Sequence, residues 1–250
     1  MANAFLAAQS ASVLGAYAAG MGVPPEAFGS GEFTLVERPG HAPWPYLAFV
    51  VRCPGGTVLS VAPDLFEFAR SNLPVRPHHA ARANFLRALA AEAERTRLGV
   101  YVHGPSVCWA LGRHPTPRSL PAGLRFVHKD AAWMNALLDS GAFPNGAGGT
   151  GVNARDIRNR YAIAVEDREG AVVAVAGAFD TLGLTEIGID VVPGRQGEGL
   201  GVAAVAALTI EMLARGETPL YGCAADNIRS QRTAHAAGFV PLFADATIDG

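Results

Sequence analysis

The stretch that most constrains this chain is a strand that leads through a glycine-rich turn into a long apolar helix. Residues 185–192 (TEIGIDVV) alternate apolar and polar positions, which is typical of a half-buried strand. Residues 194–201 (GRQGEGLG) follow at once, and an Ala/Val/Leu-rich run after them predicts a buried helix. The start of a helix offers unpaired N–H groups and a positive dipole end, and glycine lets a pyrophosphate approach the backbone. From the pattern alone, a tight turn that merely tolerates glycine is an equal alternative.

Two well-known nucleotide-binding patterns do not fit this turn. A P-loop ends in Gly-Lys-Ser or Gly-Lys-Thr, whereas the only lysine in the chain is Lys129. The dinucleotide fingerprint needs a glycine spacing that Gly197, Gly199 and Gly201 do not have, and a second βαβ half that does not follow here.

A third pattern fits. Residues 196–201 (QGEGLG) match the Q/R-x-x-G-x-G/A motif of the GCN5-related N-acetyltransferases. Asn227 and Ser230, followed by Gly238-Phe239, resemble the N-x-x-S/A…G-F segment of that superfamily. The order of predicted strands and helices agrees with the superfamily over residues 124–245.

Within this superfamily, two stretches are similar to a bacterial group that includes the zwittermicin-resistance acetyltransferase. They are residues 186–201 and 218–239, and Tyr221 lies near the position of a tryptophan in that group. The resemblance implies an α/β fold (an α+β mixed sheet), the acyl-CoA N-acyltransferase fold, in the C-terminal half. It also implies a divergent, degenerate copy of that fold in the N-terminal half. The Pro- and Gly-rich residues 112–123 predict the boundary, with an N-terminal α/β lobe over 1–120 and an acetyltransferase domain over 121–250.

Hydrophobic periodicity and turn residues predict the elements along the chain. A glycine-rich segment at 143–153 is expected to be a mobile loop. The predicted helices are 1–22, 64–73, 79–97, 131–141, 154–159, 199–215 and 227–238, and the predicted strands are 32–38, 46–53, 55–63, 99–104, 106–111, 124–130, 161–167, 171–180, 184–192, 218–225 and 239–243.

The resemblance implies that acetyl-CoA is the co-substrate and that no metal is needed. Backbone groups at the end of one strand would bind the pantetheine arm, backbone amides of the turn would bind the pyrophosphate, and the next helix would contact the pantetheine or thioester from the other side. For Asn227, a plain helix N-cap is the alternative, and the residue can also fill both roles. The matched positions are Val191 and Val192 for the strand end, Gln196, Gly197, Glu198, Gly199, Leu200 and Gly201 for the turn, and Asn227 and Ser230 for the helix.

A general base is expected on the strand before the turn, because an ammonium must lose its proton before it attacks a thioester. The resemblance favours Glu186. Period-two alternation puts Glu186, Gly188 and Asp190 on one face, where Asp190 would help to bind a cationic amine substrate. The alternative is an exposed strand face with ordinary solvated acids.

A general acid for the departing thiolate is harder to find. Many family members have a tyrosine seven residues after the asparagine, but this chain has Ala234 there. His235 is the next residue and should point elsewhere on the helix. Tyr221 and Cys223, on the preceding strand, are the other candidates, and the reaction can also proceed without an acid.

Composition excludes several classes of protein. The formal net charge is −2 and only 17% of the residues are charged, so nothing indicates binding to nucleic acid or an anionic membrane. Three widely spaced cysteines give neither a disulfide framework nor a zinc pattern, which favours a cytoplasmic protein. The apolar N-terminus has no basic residue before Arg38, unlike a signal peptide, and small residues dilute it too much for a transmembrane span.

These observations predict an N-acetyltransferase that moves an acetyl group from acetyl-CoA to a primary amine of a small molecule. The alternative is a catalytically inactive module of the same fold that binds coenzyme A or a partner. A hydrolase with Cys108 as its nucleophile, near His103 and His114, is a further rival, although Cys108 lies in a run that reads as a buried strand. The oligomeric state is open, with a homodimer as one option.

Overall fold

The computed structural model describes residues 2–42, 46–76, 80, 83–97, 99–148 and 158–250, which form two compact units. We call them the C-unit and the N-unit. The sequence predicts one boundary at residue 120, but the division falls between Cys108 and Trp109, and both ends of the chain are shared between the units. The C-unit comprises Met1–Ser10, Trp109–Cys223 and Asn227–Val240, and the N-unit comprises Ala11–Cys108, Ala224–Asp226 and Pro241–Gly250.

Most of the predicted elements are present in the described residues. The helices are α1 (Ala2–Met21), α2 (Pro63–Ser71), α3 (Ala83–Glu94), α4 (Ala131–Asp139), α5 (Leu200–Ala214) and α6 (Ile228–Ala237), and the strands are β1 (Phe33–Glu37), β2 (Ala48–Cys53), β3 (Gly56–Val61), β4 (Tyr101–Leu111), β5 (Arg125–Asp130), β6 (Asn159–Glu166), β7 (Val172–Thr181), β8 (Leu184–Val191), β9 (Pro219–Ala224) and β10 (Phe239–Asp249).

The structure differs from the sequence prediction at two strands, and one predicted helix lies largely outside the described residues. The two buried strands expected at 99–104 and 106–111 are one strand, β4, whose first residues are exposed. The helix expected at 154–159 falls largely outside the described residues, and β6 already begins at Asn159. The last strand is longer than expected and runs to Asp249.

The N-unit is built on an antiparallel hairpin of β2 and β3. Strand β1 pairs in parallel with β3, and β10 pairs antiparallel with β2. Helices α2 and α3 cover this sheet with an apolar stripe that includes Leu65, Leu86 and Leu89. Helix α2 starts with Pro63 directly after Ala62, so only one residue separates it from β3. Proline suits this position because the first helical N–H has no partner in the helix.

The C-unit holds a sheet in which β5, β6, β7 and β8 are successive antiparallel neighbours and β9 runs parallel to β8. Helix α5 packs on one face and is apolar nearly all round, as the Ala/Val/Leu run predicts. Helix α4 covers the other face, where Met134 packs against Ala162 and Val175. Asp130 caps α4 by accepting the N–H of Trp133 at 2.8 Å.

Helix α1 contains one stretch, Ala4–Met21, that is long and apolar enough to cross a membrane by length and composition. This contrasts with the expectation from its small residues. Of this stretch 28% is buried, and in the N-unit Val13, Tyr17 and Met21 form its buried stripe at helical spacing.

The single lysine of the chain is enclosed by its neighbours in the C-unit. The Nζ atom of Lys129 lies 2.7 Å from Oε1 of Glu166 and 5.2 Å from the ring centroid of Trp133. Hydrogen bonds from Lys129 and Arg125 lower the pKa of Glu166, against the opposing effect of burial. The ammonium is therefore held by an ion pair and a cation–π contact.

Candidate functional site

The site begins where β8 and β9 separate. The two strands pair only at Thr185, Glu186 and Ile187, opposite Pro219, Leu220 and Tyr221, although both continue further. We call the space beyond this last pair the strand gap.

Backbone alternation shows which groups of β8 face the strand gap. The N–H of Thr185 donates toward β9, to Thr218, whereas the N–H of Val192 donates to Val173 on the other side. In a strand, alternate residues direct their backbone polar groups to opposite neighbours. Ile189 and Val191 therefore direct theirs into the strand gap and Val192 does not. No sequence pattern separates Val191 from Val192, and Ile189 was not among the predicted residues.

The glycine-rich turn lies between β8 and α5. Gly197 has φ 89° and Gly199 has φ 80°, a left-handed conformation that glycine adopts without strain. Gly199 is the N-cap of α5, with no side chain as a cap, and the first helical bond runs from Ala203 N–H to its carbonyl. The first N–H groups of α5, at Leu200 and Gly201, consequently have no partner in the helix.

The turn carries a charge pair that neutralises itself. Arg195 donates to Glu198 through two bonds, from Nε at 2.6 Å and from a guanidinium NH2 at 2.7 Å. The hydrogen bond from Arg195 lowers the pKa of Glu198. Glu198 therefore remains ionised, but its charge is balanced within the turn.

Gln196 connects the turn to both sides of the strand gap. Its Nε2 donates to the carbonyl oxygen of Val191 at 3.3 Å, and its Oε1 accepts from Arg229 on α6 at 2.7 Å. Sequence reasoning missed Arg229. Its place between Asn227 and Ser230 was the available signal, but which way a helical side chain points depends on packing.

The start of α6 lies against β9. Asn227 is the N-cap and accepts the N–H of Ser230 at 3.1 Å, so this side chain caps the helix. Its contact with the donor stays a prediction. The hydroxyl groups of Ser230 and Tyr221 are 2.9 Å apart. Burial raises the pKa of Tyr221 to about 12, and its side chain is 1% exposed.

The remaining candidates for a general acid are less suitable. Ala234 is completely buried, so the position of the expected tyrosine is closed by packing. His235 lies exposed in the last turn of α6. Burial raises the pKa of the Cys223 thiol, while hydrogen bonds to Ser230 and Trp109 act in the other direction.

Glu186 lies on the opposite face of the sheet from Tyr221. Its Oε2 accepts from the hydroxyl of Thr181 at 2.8 Å. A Cβ placed on Gly222 would lie 2.7 Å from its Oε1, so the missing side chain at residue 222 makes room for the carboxylate. This puts a half-buried carboxylate on β8 at the residue before the last pair with β9.

Asp190 shares that face but holds a neighbouring segment. Its carboxylate accepts the backbone N–H groups of Asn145 and Gly146 at 2.7 and 2.9 Å, and the Asn145 side-chain amide at 2.7 Å. Asp190 therefore anchors residues 143–148. Its contact with a substrate amine stays a prediction, because an ionised carboxylate can accept about four hydrogen bonds.

Residues 143–148 lie directly on the sheet. A Cβ on Gly188 would be 1.8 Å from the Asn145 carbonyl oxygen, and a Cβ on Gly177 would be 1.9 Å from that of Gly146. The part of the predicted mobile loop that the structure describes is thus packed and hydrogen-bonded. The part from 149 to 153 lies outside the described residues.

The surroundings of Cys108 differ from the Cys–His arrangement that a hydrolase would need. In the N-unit, Cys108 is buried and its thiol donates to Asp245 at 3.4 Å. Burial raises the pKa of Asp245 to about 6.

The two histidines considered with Cys108 have other partners. His103 lies 3.7 Å from Asp249, and in the C-unit the ring of His114 packs on that of Phe5. A buried thiol of this kind does not suit a hydrolytic nucleophile. Among the residues that the structure describes, no group of three His, Cys, Asp or Glu could hold a metal ion.

Comparisons with known proteins find similar structures only. No family model matches the chain, and no curated protein matches it. A GCN5-related N-acetyltransferase-like protein from Streptococcus suis superposes with a TM-score of 0.50 and 15% identity over 81% of this chain and 83% of that one. A tandem GNAT protein from the clavulanic acid biosynthesis pathway gives 0.46 and 18% over 94% of each chain. A Drosophila protein gives 0.48 and 21% over 67% of this chain, and the match spans only 57% of that protein's length.

Proposed function

Because the chain has the fold of a GCN5-related N-acetyltransferase-like protein, we propose that it transfers an acetyl group from acetyl-CoA to a primary amine of a small molecule. The main support for this proposal is the strand gap. It has the glycine-rich turn at one end and the Glu186 carboxylate beside the other end. Membership in the bacterial group named above and a cytoplasmic location remain predictions.

The donor would bind from the α5 face. The pantetheine arm would pair with the backbone of Ile189 and Val191, as an added strand would, and the pyrophosphate would lie on the N–H groups of residues 196–201. Asn227 and Ser230 would border the arm from α6. These contacts would direct the thioester toward the last pair of β8 and β9.

The acceptor would bind on the face that carries Glu186. The carboxylate would remove a proton from the ammonium, directly or through water, and the free amine would attack the thioester carbonyl carbon. The C–N bond forms as the C–S bond breaks, and coenzyme A leaves as a thiolate. Thr181 holds the carboxylate by a hydrogen bond, and Gly222 leaves room for it because it has no side chain.

Tyr221 suits a hydrogen-bonding role better than that of the acid. A thiol has a pKa of about 8.5, so a proton would not move to the thiolate from a phenol whose pKa is about 12. The phenol can instead donate to Ser230 and orient its hydroxyl toward the leaving sulfur. We expect Tyr221→Phe to lower kcat by about threefold to tenfold and to leave the shape of the pH–rate profile from pH 7 to 9.5 unchanged. An alkaline limb that vanishes in this variant would instead make Tyr221 the acid.

The rival function is a module that binds coenzyme A without turnover. The buried Ala234, at the position where a proton donor is expected, favours it. Turnover of acetyl-CoA against a panel of small amines, combined with a thermal-shift measurement with coenzyme A, decides between the two. A rise in melting temperature with no turnover of any amine supports the rival. If the chain shows neither a rise in melting temperature nor turnover, both functions are refuted.

One donor should bind per chain, although the resemblance implies two related halves. In the N-unit, β3 passes through Ala62 straight into α2, whose first residue is a proline without an N–H. There is no glycine-rich turn at this junction, and one of the N–H groups that would hold a pyrophosphate is missing. We expect calorimetric titration with coenzyme A to give a stoichiometry near one per chain, and a value near two would contradict this assignment.

A further inference from the structure

Gln196 bridges the mouth of the strand gap in the C-unit. Its carboxamide donates to the Val191 carbonyl at 3.3 Å on β8 and accepts from the Arg229 guanidinium at 2.7 Å on α6. A single side chain thus joins the two sides between which the donor's arm would have to pass.

The group that Gln196 occupies is a backbone acceptor in the strand gap. By the alternation of β8, the Val191 carbonyl faces away from β7, so an incoming amide N–H would be its natural partner. The Gln196 side chain supplies such an amide N–H from within the protein.

The partner of Arg229 in this bridge is uncharged. Arg195 is satisfied by Glu198 in two bonds. Among the residues that the structure describes, the side-chain partner of Arg229 is the neutral carboxamide oxygen of Gln196. Arginine binds phosphate through paired, charge-assisted hydrogen bonds, which are stronger than one bond to a neutral amide. An anion at the turn can therefore take the Arg229 contact away from Gln196.

We propose that Gln196 stands in for the pantetheine amide of the donor, and that it holds Arg229 beside the turn as a binding residue for the donor's phosphates. This rests on the proposed use of acetyl-CoA. When the donor binds, its arm replaces Gln196 on Val191, and Arg229 moves from the carboxamide to a phosphate. Arg229 then supplies the positive charge that the Arg195–Glu198 pair does not.

The test is coenzyme A binding to the full chain, measured by calorimetry and by stopped-flow association. The variants are Arg229→Gln and Gln196→Ala, and Arg232→Gln is the matched control because it removes the same charge from the same helix, one turn further along. We expect Arg229→Gln to weaken coenzyme A binding by about tenfold and Arg232→Gln by less than about twofold. Acetyl-pantetheine has no phosphate, so Arg229→Gln should turn it over no more slowly than the wild type does.

Gln196→Ala tests the bridge separately. Without the bridge, coenzyme A should associate about threefold or more faster, because no internal contact has to break first. Equal effects of the two arginine variants, or an equal loss with acetyl-pantetheine, would overturn the role of Arg229. Slower association in Gln196→Ala would overturn the stand-in role. If the wild-type chain binds no coenzyme A at all, the proposed function fails, whatever the variants do.

Discussion

Replacing Glu186 by Gln should lower kcat by about 10²- to 10³-fold, because a positioned general base contributes that much to amine attack. The amide keeps the size of the carboxylate and can still bond to Thr181, but it cannot take a proton. The loss should therefore appear in kcat and kcat/KM together, while the affinity for coenzyme A stays the same.

The pH dependence makes this test specific. Without a base, the variant depends on amine that is already neutral in solution, so its rate should rise about tenfold per pH unit up to the pKa of the acceptor. The deficit against the wild type should shrink accordingly at high pH. Glu169→Gln, in the exposed β6–β7 turn, is the matched control and should keep wild-type kinetics. A constant ratio between Glu186→Gln and wild type from pH 7 to 10 would mean that Glu186 does not act as a base.

The second large effect is expected at Gly188, in the strand rather than in the glycine-rich turn. A Cβ at this residue would lie 1.8 Å from the carbonyl oxygen of Asn145, which is backbone and cannot rotate away. Gly188→Ala should therefore either displace residues 143–148 from the sheet or lower the free energy of unfolding by about 3 kcal/mol. Both outcomes are visible, by proteolysis near residue 145 and by chemical denaturation.

Gly194→Ala provides the control for that experiment. Nothing lies within 4 Å of a Cβ at Gly194, so the variant should unfold within about 0.5 kcal/mol of the wild type. Asp190→Asn should release the same segment without overpacking, because the amide replaces an acceptor that holds three N–H groups. If Gly188→Ala is as stable and as protease-resistant as Gly194→Ala, close packing of this segment is wrong.

The sequence was sufficient for the order of the elements in the C-unit and for the glycine-rich turn. Local signals carry these features: the alternation of β8, the apolar run of α5, and glycines whose positive φ angles only glycine tolerates well. The same alternation correctly placed Glu186 and Asp190 on one face. It could not tell what covers that face, so the anchoring role of Asp190 stayed hidden until residues 143–148 were seen on it.

Other features depend on contacts between residues far apart in the sequence. Gln196 and Arg229, which bond to each other in the bridge to Val191, lie 33 residues apart, and no local pattern predicts such a contact. The strand gap could not be predicted either, because the sequences of β8 and β9 do not indicate that their pairing stops after three residues. The boundary near residue 120 was inferred from prolines and glycines, but compactness depends on packing across the whole chain.

The enclosure of Lys129 has a practical consequence at the bench. Reagents that acylate amines need a free, unprotonated ε-amino group, and here the chain's only one is held by Glu166 and covered by Trp133. Biotin or dye esters should hardly label the folded protein at its side chains. For the same reason, acetyl-CoA should modify the side chains of the protein very little, so lysine self-acetylation should add almost nothing to the background of a turnover assay.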